Sequence, residues 1–275
     1  GLSKITRMLV DPDAVRSETI LRESLRHALH VINLDPRNID LVYTTTLSMS
    51  LAQQELTLQE GFKILGVFPN VRGEDLSQLN GLSAHFFGNA LTERRHTEFT
   101  LHHAIKPFFD ISRRQCNLPE VAIMSAADVA AQCAKLNLAA AAQEPELELI
   151  KAPGFVAHRF QDLKNKHSQV INFYPFYSPN CLIMDPKQEV EVFVRVVERM
   201  RFAAVIGEHT VRNVDPAATY RRFMNILRDS GMSYIEIIND AADAVGIECI
   251  LQAGFTPCAY IPSFKRQGDR RRAER

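Results

Sequence analysis

The sequence predicts an α/β fold, α+β by stricter usage, built as two related modules whose mixed sheets are flanked by helices. Three observations carry that expectation. The segments "TLQEGFKILGVFPN" (57–70) and "ILQAGFTPCAYIPS" (250–263) share Leu-Gln-x-Gly-Phe, an apolar run and a Pro at the same offset, Gly61 to Pro69 and Gly254 to Pro262. Each is preceded, in the same order, by a helix-patterned, a strand-patterned and a second helix-patterned stretch. Ahead of the second copy alone, strand-like segments follow one another at turn-length gaps.

In chain order, "KITRMLVD" is the one segment before the first helix that fits a strand. From Ser17 to Asn33 the apolar residues Ile20, Leu21, Leu25, Ala28, Leu29 and Ile32 recur at helical spacing, with Ser17 as N-cap and Asp35-Pro36 closing the run. "IDLVYTTTL" (39–47) is β-branched and aromatic, hence a strand, and "SMSLAQQELTLQE" (48–60) is a helix that Gly61 ends in the left-handed conformation. "FKILGVFP" (62–69) is the next strand. Residues 71–100 mix Gly, polar residues and aromatics without clear period, which predicts a connecting segment with some helix. "LHHAIKPFFDISRRQ" and "EVAIMSAADVAAQCAKLNLAAAAQ" read as helices, and the end of the Ala-rich run near residue 143 is the expected domain boundary. This divides the chain into 1–143, a partial module with a helical connecting segment, and 144–275, a second module with a basic tail.

In the second part "ELELIK", "QVINFYPF", "NCLIMDP", "VEVFVRVVE" and "RFAAVIGEHTV" are strand-like, the last three forming an antiparallel meander. Asp215 then caps a helix with Pro216 at its first position, running to Gly231. "MSYIEIIN" is a strand, "AVGIECILQA" a helix ending at Gly254, and "FTPCAYIPSF" the closing strand.

Basic and acidic residues balance at 32 each, so no global field draws the chain toward nucleic acid or a membrane. Five scattered cysteines without a Cys-x-x-Cys pair point to buried thiols in a reducing compartment, and no stretch approaches a membrane span. A cytoplasmic protein is expected. It starts with Gly, not Met, as processing, tagging or truncation would leave it.

A strand meander, a helix, a strand and a helix ending in Gly-Phe before a last strand resembles the GNAT superfamily of N-acyltransferases. The resemblance rests on "LQEGFKILGVFP" and "LQAGFTPCAYIP", with "VYTTT" and "YIEIIN" ahead of them, and covers roughly 17–70 and 180–264. It implies tandem modules, the first lacking its front half, and acetyl-CoA or another acyl-CoA as donor. In that family the cofactor pyrophosphate sits on a Gln/Arg-x-x-Gly-x-Gly/Ala loop at a helix N-terminus. Here that place reads "RNVDPAATY", with no glycine, an Asp at the cap and a Pro that lacks an N–H. The cofactor edge then falls on Ile206, Gly207, Arg212 and Asn213. The Tyr that family members place four residues before Gly-Phe is Thr57 in one copy and Ile250 in the other. Glu208 falls on the strand that often carries the general base; its alternative reading is an outward residue of a half-exposed strand.

Other clusters admit simpler readings. His85, His96, His102 and His103 lie near Glu98, but their spacing fits no metal motif, so no metal is expected. Arg94 and Arg95 make either an anion clamp or a charged turn, the aromatics of "NFYPFYSPN" either a cleft wall or interior packing, and the basic tail 264–275 either a contact for nucleic acid or an acidic partner or a solvated end. The sequence therefore points to an acyl-CoA-dependent N-acyltransferase, acting on an amine of a small molecule or peptide. The alternative is a GNAT-like ligand- or protein-binding chain that has lost acyl-CoA. No nucleic acid or membrane partner is expected; an oligomer is compatible with the sequence.

Overall fold

A computed structural model describes residues 2–5, 17–35, 39–47, 51–69, 79–92, 99–137, 145–166, 177–210 and 215–264. The chain begins with β1 (Leu2–Ile5) and α1 (Ser17–Asn33), which buries Leu25 and Leu29 one turn apart. There follow β2 (Leu41–Leu47), α2 (Leu51–Gln59), β3 (Lys63–Pro69) and β4 (Leu79–Phe86). Next come β5 (Thr100–His102), α3 (Lys106–Cys116), β6 (Ala122–Met124) and α4 (Ala126–Asn137). The rest is β7 (Glu148–Ile150), α5 (Pro153–Lys166), β8 (Cys181–Met184), β9 (Val190–Val197), β10 (Phe202–Thr210), α6 (Pro216–Asp229), β11 (Tyr234–Glu236) and α7 (Ala244–Gln252). Mixed helix and sheet content makes this an α+β protein. Among the described residues no helix is long and apolar enough to cross a membrane.

Two compact units interleave along the chain. The first takes Gly1–Phe99, Ile105–Val121 and Cys258–Gln267, the second Thr100–Ala104, Ala122–Pro257 and Gly268–Arg275. The boundary expected near residue 143 lies outside the described residues.

In the first unit the strand order is β1-β2-β4-β3. β1 runs parallel to β2, Leu2 opposite Leu41, with α1 in the connection, and β4 pairs antiparallel with β2 and β3. Leu25, Leu29, Val42, Leu56 and Phe62 form an apolar cluster that joins both helices to one face of this sheet. β4 corrects the expectation of a connecting segment. Its sequence, LNGLSAHF, has weak strand propensity, and it becomes a strand because both its edges are paired. The expected closing strand is a second correction: 255–263 contributes only an isolated antiparallel bridge from Ala259 to Gly66. Pro257 and Pro262 bracket that segment and each removes a ladder donor. Gly66 is required there, because a Cβ would overlap the Cys258 carbonyl and Ala259.

In the second unit the order is β11-β10-β9-β8-β7. β7 to β10 pair antiparallel in sequence order, the meander read from the sequence extended by one strand, and β11 adds parallel to β10. The segment "QVINFYPF" lies outside the described residues. One face of the sheet, with Val192, Val194, Val196, Ala203 and Val205, packs on Tyr220, Phe223 and Leu227 of α6 and on Cys249 and Ile250 of α7. The other carries α5, whose Phe160 ring meets Phe193 at 4.8 Å between centroids. Residues 122–124, taken with the following helix by the sequence reading, form β6 and pair parallel with β5.

The repeated Gly-Phe segment has the same geometry in both units. Gly61 (φ +82°) donates to Leu58 O and Phe62 to Thr57 O; Gly254 (φ +100°) donates to Leu251 O and Phe255 to Ile250 O. These paired bonds close the last turn of α2 and α7, and the positive φ explains why glycine stands at both ends.

Candidate functional site

The second unit's sheet is asymmetric around β10. On one side β9 pairs with it from Phe202 to Thr210. On the other, β11 pairs only with Phe202, Ala203 and Ala204. Beyond Ala204 no described strand covers that edge, so main-chain groups along Val205–Thr210 are turned toward whatever lies there.

Within the same stretch the register slips by one residue between Val205 and Gly207. Val205 opposes Val194, Gly207 opposes Phe193, and Ile206 is the extra residue. Such a bulge resets which face each following side chain takes. Glu208 consequently opposes Val192 and faces α6, on the same side as Val205. Without the bulge it would face α5. Glu208 is partly exposed and, instead of pointing outward as an alternating residue of a half-exposed strand would, it is aimed at a helix.

There the Tyr220 hydroxyl, on a residue 7% exposed, donates to both carboxylate oxygens, 2.9 Å to Oε1 and 3.1 Å to Oε2. Burial raises the Glu208 pKa above its ordinary value of 4.5, the Tyr220 bond opposes this, and Asp243 pushes it further up. Burial and the facing carboxylate push the Tyr220 phenol far above its ordinary range, so it stays a donor. The pair is a carboxylate with enhanced proton affinity held by a fixed hydroxyl.

The start of α6 is closed by the chain itself. Asp215 Oδ1 accepts from Ala217 N at 2.9 Å and Ala218 N at 3.2 Å, and Pro216 offers no N–H. Arg221 Nη2 stands 3.9 Å from Asp215 Oδ2. The N–H groups that would greet an anion at a helix start are therefore spent on a carboxylate.

Of the residues singled out in the sequence, Ile206 is fully buried and Gly207 is buried within β10, beside Glu208. Arg212 and Asn213 lie outside the described residues, as do His96, Glu98, Arg94, Arg95, most of the aromatic 172–180 stretch and the tail after Phe264. Neither residue at the family's Tyr position offers an acid. The Thr57 hydroxyl donates to Gln53 O at 3.2 Å and Gln54 O at 2.9 Å within its own helix, and Ile250 is buried in the core. Tyr220 was missed. Its signal was present: Tyr220, Phe223 and Leu227 mark one helical stripe, and a phenol on such a stripe calls for a polar partner on the facing strand.

His85 and His102 are held within the fold by hydrogen bonds. His102 is 0% exposed; its Nδ1 accepts from Ala104 N at 3.1 Å, which leaves the proton on Nε2 to be donated to Glu248 Oε2 at 3.0 Å. Burial lowers its pKa below 6.5. His85 Nδ1 donates to Glu60 O at 3.0 Å. Among the described residues no three His, Cys, Asp or Glu side chains are grouped to hold a metal. The cysteines are free thiols, and burial pushes Cys249 up to about 12 and Cys116 up to about 11.

No family model matches this chain, and no curated protein or solved structure matches it significantly.

Proposed function

We propose that the second unit is a GNAT-like N-acyltransfer module, in which an acyl thioester arm lies along the edge of β10 that no described strand pairs beyond Ala204 and an amine is acylated beside it. The observation that carries this reading is the early end of β11. Parallel pairing stops at Ala204 while β10 continues to Thr210, so a bulged strand edge and a proton-accepting carboxylate meet at one place. A pantetheine arm has amide groups that can pair with such an edge as a strand would. The order of four antiparallel strands, a helix crossover and a parallel fifth strand supports the same reading, since it is the order the family resemblance implies.

In the reaction, the amine nitrogen forms a C–N bond to the thioester carbonyl as the C–S bond breaks. The proton leaving nitrogen passes to Glu208, directly or through water, and then to the departing thiolate. The fit to acyl-CoA is partial: the strand edge suits the arm, whereas the Asp215-capped helix start does not suit a pyrophosphate.

That cap favours a second reading, a GNAT-like module that binds an extended peptide along the same edge without chemistry. Calorimetric titration of the full-length chain with acetyl-CoA separates the two. Micromolar binding supports acyl transfer and justifies an amine screen. No binding at millimolar acetyl-CoA supports the peptide-binding alternative.

A further inference from the structure

On the α5 face of the second unit's sheet lies an open depression of about 420 Å³, lined by Glu148 and Ile150 of β7, Phe155 and Arg159 of α5, Met184 of β8 and Glu191 of β9, with the β8–β9 turn at its rim. Its floor is a buried ion pair. Glu191 is 0% exposed, and Arg159 binds both its oxygens, Nε to Oε1 at 2.8 Å and Nη2 to Oε2 at 3.1 Å. Gln188 Oε1 accepts a further bond from Nη2 at 3.2 Å. Asp185 in the turn is occupied as well, by the N–H groups of Glu189 and Val190 on Oδ1 and of Lys187 on Oδ2.

Glu148 differs from both. It is exposed and has no partner among the described residues. Three carboxylates (Glu148, Asp185, Glu191) against one guanidinium (Arg159) leave the ionised lining at −2. A cation is therefore favoured over an anion, and Glu148 is the carboxylate left to accept its hydrogen bonds. Beside it Phe155 stands 55% exposed, with Ile150 and Met184 adding apolar wall. An exposed ring near uncompensated carboxylates suits a ligand that is cationic at one end and apolar over the rest.

We propose that this depression binds a small primary amine with an apolar body, its ammonium on Glu148 and its body against Phe155, Ile150 and Met184. Glu191 is the register partner of His209, which follows Glu208 on β10. Directly opposed side chains share a face, so His209 stands on the α5 side next to the depression's floor. This binding does not rest on the acyl-transfer reading, whose carboxylate, Glu208, faces α6 on the other side of the sheet.

The probe is 2-phenylethylamine, titrated into the full-length chain without any acyl donor and followed by saturation-transfer NMR and calorimetry. Saturable binding is expected, weakened about fivefold by Glu148→Gln as for a partly solvated ion pair and weakened again by Phe155→Ala. Both residues are exposed, so neither change should disturb folding. The anion 3-phenylpropionate, which has a similar body, should not compete. Absence of saturable binding, equal competition by the anion, or binding indifferent to both substitutions overturns the proposal. A parallel acetyl-CoA titration keeps the two ideas apart: amine binding without acetyl-CoA binding preserves this site and removes acyl transfer, and the reverse overturns this site alone.

Discussion

In the first unit β2 is flanked on both sides, by parallel β1 and antiparallel β4, whereas in the second unit the corresponding strand after a helix crossover, β11, ends its sheet after three residues. The helices that follow, α2 and α7, close with the same Gly-Phe turn. Their seams differ in chemistry. The first packs Leu25, Leu29, Val42, Leu56 and Phe62, while the second admits Glu208 and Tyr220 among its valines. Placing a carboxylate and a phenol in an apolar seam costs desolvation that aliphatic residues there would not. The shared framework is apolar in one unit, whereas in the other it carries a satisfied polar pair beside a stretch of β10 that no described strand pairs, which is why the candidate is sought in the second.

The largest test of that comparison concerns the repeated Phe. Phe62 is 1% exposed, and Phe62→Ala should cost about 3–5 kcal/mol through lost burial and a cavity. Phe255 is only partly buried, so Phe255→Ala should cost clearly less. Denaturant unfolding with hydrogen exchange to localise the loss reads both. Equal costs would break the claim that the two copies are anchored differently.

Next in size is Glu208→Gln, expected to lower turnover about 100-fold if Glu208 is the base, with acetyl-CoA affinity unchanged. Its stability effect has the opposite sign. The folded carboxyl has a raised pKa, so the unfolded state gives up its proton first, and stability falls as pH climbs from 4.5 through the folded value. The amide cannot ionise and keeps a partner for Tyr220, so the variant should lose this slope and gain relative stability at neutral pH. Turnover retained in Glu208→Gln but lost in His209→Ala would move the base to the α5 face. The buried His102 gives the mirror case: its lowered pKa means stability is lost as pH falls below 6.5, a slope that His102→Gln should remove.

Smaller still, Gly61→Ala and Gly254→Ala should each cost about 1 kcal/mol, because both positions hold positive φ. That these two glycines were readable at once, and β4 was not, follows from where the information sits. A helix end is a local event, written in one glycine and the residue after it. β4 is a strand because of neighbours on both edges, and nothing in Asn80, Gly81, Ser83 or Ala84 announces them. The same distinction runs through the site. Glu208 was legible because it lies on a strongly patterned strand. Its orientation toward Tyr220 depends on the bulge at Ile206, a register event that alternation alone does not disclose.

The subtlest expected change is at Asp215, and it bears most directly on which reading survives. Asn caps a helix about as well as Asp, so Asp215→Asn should alter stability by less than about 0.5 kcal/mol. It removes the negative charge held on the first N–H groups of α6. If a thioester donor with a pyrophosphate lies along β10, relief of that repulsion should tighten acetyl-CoA binding about fivefold at low ionic strength. The gain should shrink with added salt, because an exposed charge pair is screened within about a Debye length. A peptide along the same edge carries no such anion there, and its affinity should not respond. An unchanged acetyl-CoA affinity in a stable Asp215→Asn chain would mean that no pyrophosphate lies against the start of α6.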